Sequence, residues 1–420
     1  MRFISQKKLK RNLVMRLIKK FQETNLILIG ISLLLFIIGL IGLSSIAVHQ
    51  GYLHKTSPFI KQSIFFIPGI ILFILIFYLP KSFYHKSAYL IYGFSILSIS
   101  IPYIGKTIAG TYRWLDFGFI GIQPSEYAKW VVVIVLARYL SDNNLNIKKM
   151  VTLIIPILLA LIPATIVLKQ PDLGSAIIIL SPLIPMIYWS GVRPYFIFLL
   201  IAPLISILTA FHPLSFTVWG ILMLVIFYLS QPNLLSGVIS YFSFLFLGLL
   251  SPWLWSLLNT YQQKRIITML NPELDPLGSA YQVIQSQTAI GAGGFWGKGW
   301  GQGTQTHLKF LPVQESDFII SVLGEELGFG FLMILFTLFA FLIYGIVQLA
   351  YESNDRFSSL VLIGIGTILF SHFFVNSAMA VGLTPVKGLP LPFISAGGSF
   401  LLSCFMMLGL IVNMGRNTFD

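Results

Sequence analysis

The sequence predicts an all-α, polytopic transmembrane helical bundle with one large, ordered extracytoplasmic loop. Three observations carry this expectation. Hydrophobic residues make up 56% of the 420 positions and charged residues 10%, with a mean hydropathy of +0.86. That is too little polar surface to coat a soluble globule of this length, so lipid must cover the rest. Apolar runs of about 18 residues or more recur, the length a helix needs to cross roughly 30 Å of hydrocarbon, where only a helix pairs its own backbone. Finally, the polar and glycine-rich residues gather in one long interval, 258–317.

The chain begins with a basic cytoplasmic segment, residues 1–24, holding Arg2, Lys7, Lys8, Lys10, Arg11, Arg16, Lys19 and Lys20 against Glu23 alone. The net charge of +13 therefore reads as the positive-inside rule and not as a nucleic-acid surface. The run 25–48 is too long for a signal-peptide core and is kept as an anchor. Further spans are expected near 62–79, 88–104, 124–140, 151–168, 174–191, 194–211, 215–230 and 234–257, which makes about nine in the region 25–257. Three more follow in the region 318–413, near 318–349, 358–381 and 392–413, before a cytoplasmic tail at 414–420. Twelve spans starting inside leave Lys81, Lys86, Arg138, Lys148, Lys149, Arg193 and Arg356 in cytoplasmic connections, as the charge rule requires.

The outer loops hold the unusual residues. The interval 258–317 is far longer than an ordinary connection, yet Tyr261, Tyr281, Phe295, Trp296, Trp300 and Phe310 among eight glycines argue for packing and tight turns. The acidic residues on that side are Asp116, Glu126, Asp172, Glu273, Asp275, Glu315 and Asp317, and Glu325 and Glu326 enter the following apolar run. Carboxylates at membrane depth are costly unless paired or hydrated, so their default reading is functional. Asp317, at the mouth of the span, suits a general base, because burial raises a carboxylate pKa. The plain alternative is that it caps the helix that follows.

Lys106, Arg113, Lys129, Lys169, Lys264, Arg265, Lys298, Lys309 and Lys387 could together hold an anionic headgroup. For any single lysine, solvated charge or contact with anionic membrane lipid is the simpler reading. Glu126 and Lys129, three apart after Pro124, read as a salt bridge on one helix face. Gly291, Gly293 and Gly294 lack the strand–helix frame of a nucleotide loop. The six histidines are scattered and Cys404 is alone, so neither zinc nor a disulfide is expected.

Five blocks in order resemble a known family. They are Arg113–Asp116 with Gln123–Glu126 and Lys129; Gln170–Gly174; Asp275–Gly278 through Gln285, Ser286 and Ala289–Gly294 to Gln305; Phe310–Pro312 with Asp317–Ile319 and Glu325–Gly328; and Gly382, Pro385, Gly388, Pro390–Pro392, Ser395 and Gly397–Ser399. The chain is similar to the SEDS proteins (shape, elongation, division and sporulation), the peptidoglycan glycosyltransferases that polymerise lipid II. The loop wording resembles the RodA branch, which serves elongation and rod shape, more than the FtsW branch, whereas Lys387 resembles FtsW.

The resemblance implies an inverting glycosyl transfer with release of undecaprenyl pyrophosphate in a bacterial inner membrane, and a class B penicillin-binding protein as partner. It implies Asp317 as the essential carboxylate; by their charge, Arg113, Lys129, Arg265, Lys298 and Lys309 are the candidate pyrophosphate contacts. Glu126, Asp172, Gln285, Ser286, Glu325, Glu326 and Lys387 would support them. No cofactor is evident; a divalent cation on the pyrophosphate stays open. Three departures stand out: Val313 replaces a usual Glu, so that Glu315 is a candidate substitute; Ala396 replaces a usual Tyr; and two spans exceed the family's ten, within 193–257. A lipid II flippase, or a scaffold for a cell-wall transpeptidase, is the rival expectation, although no inverted repeat or midplane charge supports transport.

Overall fold

The computed structural model describes residues 26–49, 57–105, 112–116, 121–142, 150–260, 280–307 and 313–416, with 263 and 267. Helices dominate: α1 Leu26–His49, α2 Pro58–Tyr78, α3 Lys81–Ser100, α4 Pro124–Leu140, α5 Ile154–Lys169, α6 Leu173–Leu180, α7 Leu183–Trp189, α8 Pro194–Thr209, α9 Pro213–Ser230, α10 Leu234–Leu249 and α11 Ser251–Ser256. Then come α12 Tyr281–Gly293, α13 Thr304–His307, α14 Ile319–Glu352, α15 Arg356–Ala380 and α16 Gly398–Met414. Among the described residues seven helices are long and apolar enough to cross a membrane, and shorter apolar helices accompany them. The protein is an all-α, multi-pass membrane protein.

Every expected span falls on helix, with local corrections. The interval 174–191 is two short helices, α6 and α7; 234–257 is likewise α10 and α11; and in 392–413 the helix begins only at Gly398. The third helix starts at Lys81, so Lys81 and Lys86 lie on it and not in a connection. Lys81 is buried, and its ammonium donates to the Met414 and Arg416 carbonyls at the end of α16. Two strands of two residues each, β1 Leu115–Asp116 paired antiparallel with β2 Gly121–Ile122, interrupt the all-helical plan just before α4.

The chain divides into two compact units. The larger comprises 1–145, 154–186 and 281–420. Within it α4 is the central helix: all its residues are buried except Tyr127, Arg138 and Tyr139. It packs on α3, α15 and α5, while α16 packs on α2 and α14 on α15 and α12. The smaller unit, 146–153 and 187–280, holds α8, α9 and α10 around Leu199, Ala202, Trp219, Met223, Phe227 and Phe244. The indole N–H of Trp219 donates to Ser206 Oγ at 2.8 Å. This buried hydrogen bond satisfies the one polar atom the tryptophan brings to that core. The interval 193–257, where two additional spans are expected, lies within this unit as α8, α9, α10 and α11.

Helix α14 bends where Gly328 adopts φ +80° and ψ 175°. The break frees carbonyls that a straight helix would use internally. The segment 294–301 takes them: Lys298 N–H donates to Glu325 O at 3.0 Å and Gly299 N–H to Glu326 O at 2.8 Å, while Phe329 N–H donates back to Gly294 O at 2.8 Å. At Gly297, φ is +80° and a β-carbon would lie 2.2 Å from Glu326 O, so only glycine permits this approach. The glycine cluster is thus a backbone-to-backbone seam, not a nucleotide loop.

Candidate active site

Asp317 lies in the turn 313–318, one residue before the N-cap of α14. That N-cap is Phe318, and no side chain caps the helix, so the helix-cap alternative for Asp317 does not hold. Its Oδ1 accepts from Ser316 Oγ at 2.9 Å. Its Oδ2 faces Gly388, where a β-carbon would stand 3.5 Å away. Burial pushes the carboxyl above the ordinary aspartate range; the Ser316 hydroxyl opposes the shift and the Glu315 charge adds to it. The result is a half-buried carboxylate with one oxygen steadied and the other facing Gly388.

The turn is held by α15 and by the segment 395–397, which α2 braces in turn. Asn376 on α15 donates from Nδ2 to the Asp317 carbonyl at 3.0 Å and to Leu389 O at 2.7 Å. Ser395 Oγ donates to Ser316 O and accepts from Leu391 N–H at 2.8 Å. Ala396 N–H donates to Glu315 O at 2.9 Å. Gln62, buried on α2, donates to Ser395 O at 3.0 Å and accepts from Gly397 N–H at 3.2 Å. Asn376, Ser316 and Gln62 were not singled out in the sequence, although an isolated amide in an apolar run is a signal at membrane depth.

Lys129 and Glu126 form the expected ion pair, with both Glu126 oxygens at 2.8 Å from Nζ. The third ammonium proton points to His372 Nε2 at 3.2 Å. Lys129 is 1% exposed, so its three protons are consumed in the core. This geometry fits the salt-bridge reading of Lys129 and leaves no proton for a pyrophosphate.

Glu325 is fully buried. Its Oε1 accepts from Lys298 Nζ and Thr304 N–H at 2.8 Å each and from Gln305 N–H at 3.0 Å, while Oε2 accepts from Thr306 N–H at 3.1 Å. Lys298 also donates to Thr304 Oγ1 at 2.7 Å and remains 28% exposed. Glu326 accepts from Ser45 Oγ and, at 3.2 Å, from Gly301 N–H. Both carboxylates therefore fasten the 298–306 segment to α14.

Asp172 caps α6 through Ser175 N–H at 3.1 Å and accepts from Gln123 Nε2 at 3.1 Å. Arg113 lies 4.0 Å from it and donates to the Gln170 and Pro171 carbonyls. Ser286 on α12 bonds Ser321 Oγ and donates to Ala380 O, each at 2.6 Å; Gln285 is half-buried beside it. The Lys387 N–H meets Met379 Sδ at 3.1 Å, next to the Gly388 wall of Asp317. Arg265, Lys309, Glu273 and Asp275 lie outside the described residues. Among the described residues no group of three or more His, Cys, Asp or Glu side chains is arranged to hold a metal ion.

The family model for FtsW, RodA and SpoVE, described as cell cycle protein, matches residues 25–219 and 214–419, two stretches that meet within α9. The chain is 32% identical over 347 residues to the peptidoglycan glycosyltransferase MrdB of Escherichia coli K12, covering 82% of each. It is 32% identical over 405 residues to the stage V sporulation protein E of Bacillus subtilis, covering 94% and 98%. It is 30% identical over 409 residues to the peptidoglycan glycosyltransferase RodA of Treponema pallidum, covering 90% and 94%. Among solved structures, a chain from work on the structural coordination of polymerization and crosslinking by a peptidoglycan synthase complex superposes with TM-score 0.69 at 26% identity, covering 94% and 98%. The Thermus thermophilus rod shape determining protein RodA shares the fold, with TM-score 0.62 at 22% identity and coverage of 94% and 98%. A family model that matches nearly the whole chain, together with relatives 30–32% identical and covered over 82–98% of their length, shows that the chain belongs to the FtsW/RodA/SpoVE family of cell cycle proteins.

Proposed function

We propose that this chain is a peptidoglycan glycosyltransferase that polymerises lipid II into glycan strands during cell elongation. It would act in the bacterial inner membrane with its N-terminus in the cytoplasm. The observation that carries the reading is Asp317: a carboxylate with a raised pKa, one oxygen steadied by Ser316 and the other facing Gly388. In the proposed step the 4-hydroxyl of an acceptor GlcNAc attacks the anomeric carbon of a donor MurNAc. Asp317 Oδ2 takes the hydroxyl proton as the new C–O bond forms, the configuration inverts, and the bond to undecaprenyl pyrophosphate breaks. A base of raised pKa is better matched to this transfer than an ordinary aspartate. The leaving group departs as an anion and needs cations instead of a proton. Lys298, with one ammonium proton uncommitted, and Arg113, Lys387, Arg265 and Lys309 are the candidates for that charge. A class B penicillin-binding protein is the proposed partner, in keeping with the synthase complex whose chain superposes on this one.

Purified protein in nanodiscs, given lipid II with and without such a partner, should make glycan polymer, and Asp317→Ala should make none. Full polymerisation by Asp317→Ala would overturn the assignment of the base; an inert wild-type protein with its partner would overturn the enzyme reading. Chelation decides the remaining charge. Loss of product restored by Mg2+ assigns neutralisation to a divalent cation on the pyrophosphate, and unchanged turnover assigns it to the side chains.

A further inference from the structure

We propose that His372 is a positioning residue for the Asp317 site, acting through the Pro390 carbonyl; the proposal rests on Asp317 being the base. His372 is fully buried on α15. Its Nε2 lies 3.2 Å from Lys129 Nζ and its Nδ1 lies 3.1 Å from Pro390 O. An ammonium has only donors to offer and a carbonyl only acceptors. The two neighbours therefore dictate one tautomer: Nε2 bare and accepting from Lys129, Nδ1 protonated and donating to Pro390. A doubly protonated ring would set an N–H against the ammonium, so the ring is neutral. Lys129 is itself fixed by both oxygens of Glu126, and the Phe400 ring packs beneath the pair, 4.8 Å from the imidazole centre and 5.7 Å from Nζ.

The other end of this relay is the wall of the site. Asn376 lies four residues after His372, on the same face of α15, and holds Leu389 O as His372 holds Pro390 O. Two consecutive carbonyls are thus gripped by two side chains one turn apart. Directly before them stands Gly388, facing Asp317 Oδ2, and directly after them Leu391 N–H is held by Ser395. Asn376 already has a second task on the Asp317 carbonyl. His372 is left to set the height of the segment independently of the Asp317 turn. A buried ion pair on α4 would by itself stabilise only the helix bundle; the imidazole carries its placement across to the wall at the reactive oxygen.

The test separates the two hydrogen bonds of the ring. His372→Asn places an amide donor near the Nδ1 position, His372→Gln reaches Lys129 but gives up the Pro390 donor, and His372→Phe removes both. With lipid II as substrate, kcat should fall roughly 10- to 100-fold in His372→Gln and His372→Phe, with KM within about twofold, because a small misplacement costs rate more than binding. His372→Asn should recover most of the loss. Wild-type kcat in His372→Gln, alongside an inactive Asp317→Asn, would overturn the positioning role and leave the base standing; an active Asp317→Asn would overturn both. The tautomer is read independently of activity and folding yield by 15N-histidine NMR of the wild-type protein. One ring signal pair should report protonated Nδ1 and bare Nε2 and should disappear in any folded His372 variant; an Nε2-protonated or doubly protonated ring overturns the proposal.

Discussion

The two carboxylate regions at the head of α14 lie eight residues apart and behave as opposites. Glu325 is fully buried and receives an ammonium and three backbone N–H groups. Asp317 is half-buried, receives one serine hydroxyl on one oxygen, and turns the other toward a glycine. Both are acidic residues near membrane depth and both looked functional in the sequence. The difference is saturation: a carboxylate whose lone pairs are all used holds structure together, while one left partly unpaired can accept a proton from elsewhere. The same contrast separates Lys129, with every proton spent in the core, from Lys298, which keeps one.

This comparison can be broken by experiment. The largest expected effect is on turnover: Asp317→Asn should lower polymerisation by roughly 100- to 10,000-fold, the span usual for a general base. Its unfolding midpoint at neutral pH should match or exceed that of wild type. The sign follows from the raised pKa: burial favours the protonated acid, so the native state is penalised as pH rises through that pKa, and an uncharged amide escapes the penalty. A loss of stability equal to the loss of activity would make Asp317 structural and erase the contrast.

Glu325→Gln should do the reverse. It leaves Lys298 without its counter-charge and turns an amide N–H2 toward backbone donors, at a cost of about 3 kcal/mol. Denaturation should move well before kcat does in whatever protein remains folded. Gly297→Ala comes next, at about 2 kcal/mol, since a left-handed backbone and a β-carbon 2.2 Å from Glu326 O cannot both be accommodated. Limited proteolysis within 294–301 is the sensitive readout. The smallest effect belongs to Ser316→Ala. The acidic limb of the rate profile, where activity falls as Asp317 becomes protonated, should lie above that of an ordinary aspartate, and losing the hydroxyl that steadies the carboxylate should move it higher still. A limb that stays in place would detach Ser316 from the base.

Much of the site was legible residue by residue but not pair by pair. Asp317 stood out because it is acidic at the mouth of an apolar run, and Glu126 with Lys129 because a three-residue spacing on a helix puts them together. Lys129 also looked like a phosphate ligand, because sequence gives a side chain its type and not the number of its protons already engaged. His372 was set aside when no second histidine lay at ligand spacing; its partners, Lys129 and Pro390, are 243 and 18 residues away. The glycines 291–303 read as joints of a loop, and the bent helix that requires them became visible only with Gly328 in place.

By itself the sequence determined the solvent, the helical fold and the twelve intervals that became helix, because hydrocarbon demands long apolar runs with internally paired backbones. It also determined which residue types could do chemistry, and where along the chain they stand. Which carboxylate is saturated and which is open, and how a histidine on α15 reaches the wall of Asp317, only the tertiary structure decided. Hydrogen-bond partners hundreds of residues apart meet through packing, and no local pattern encodes that meeting.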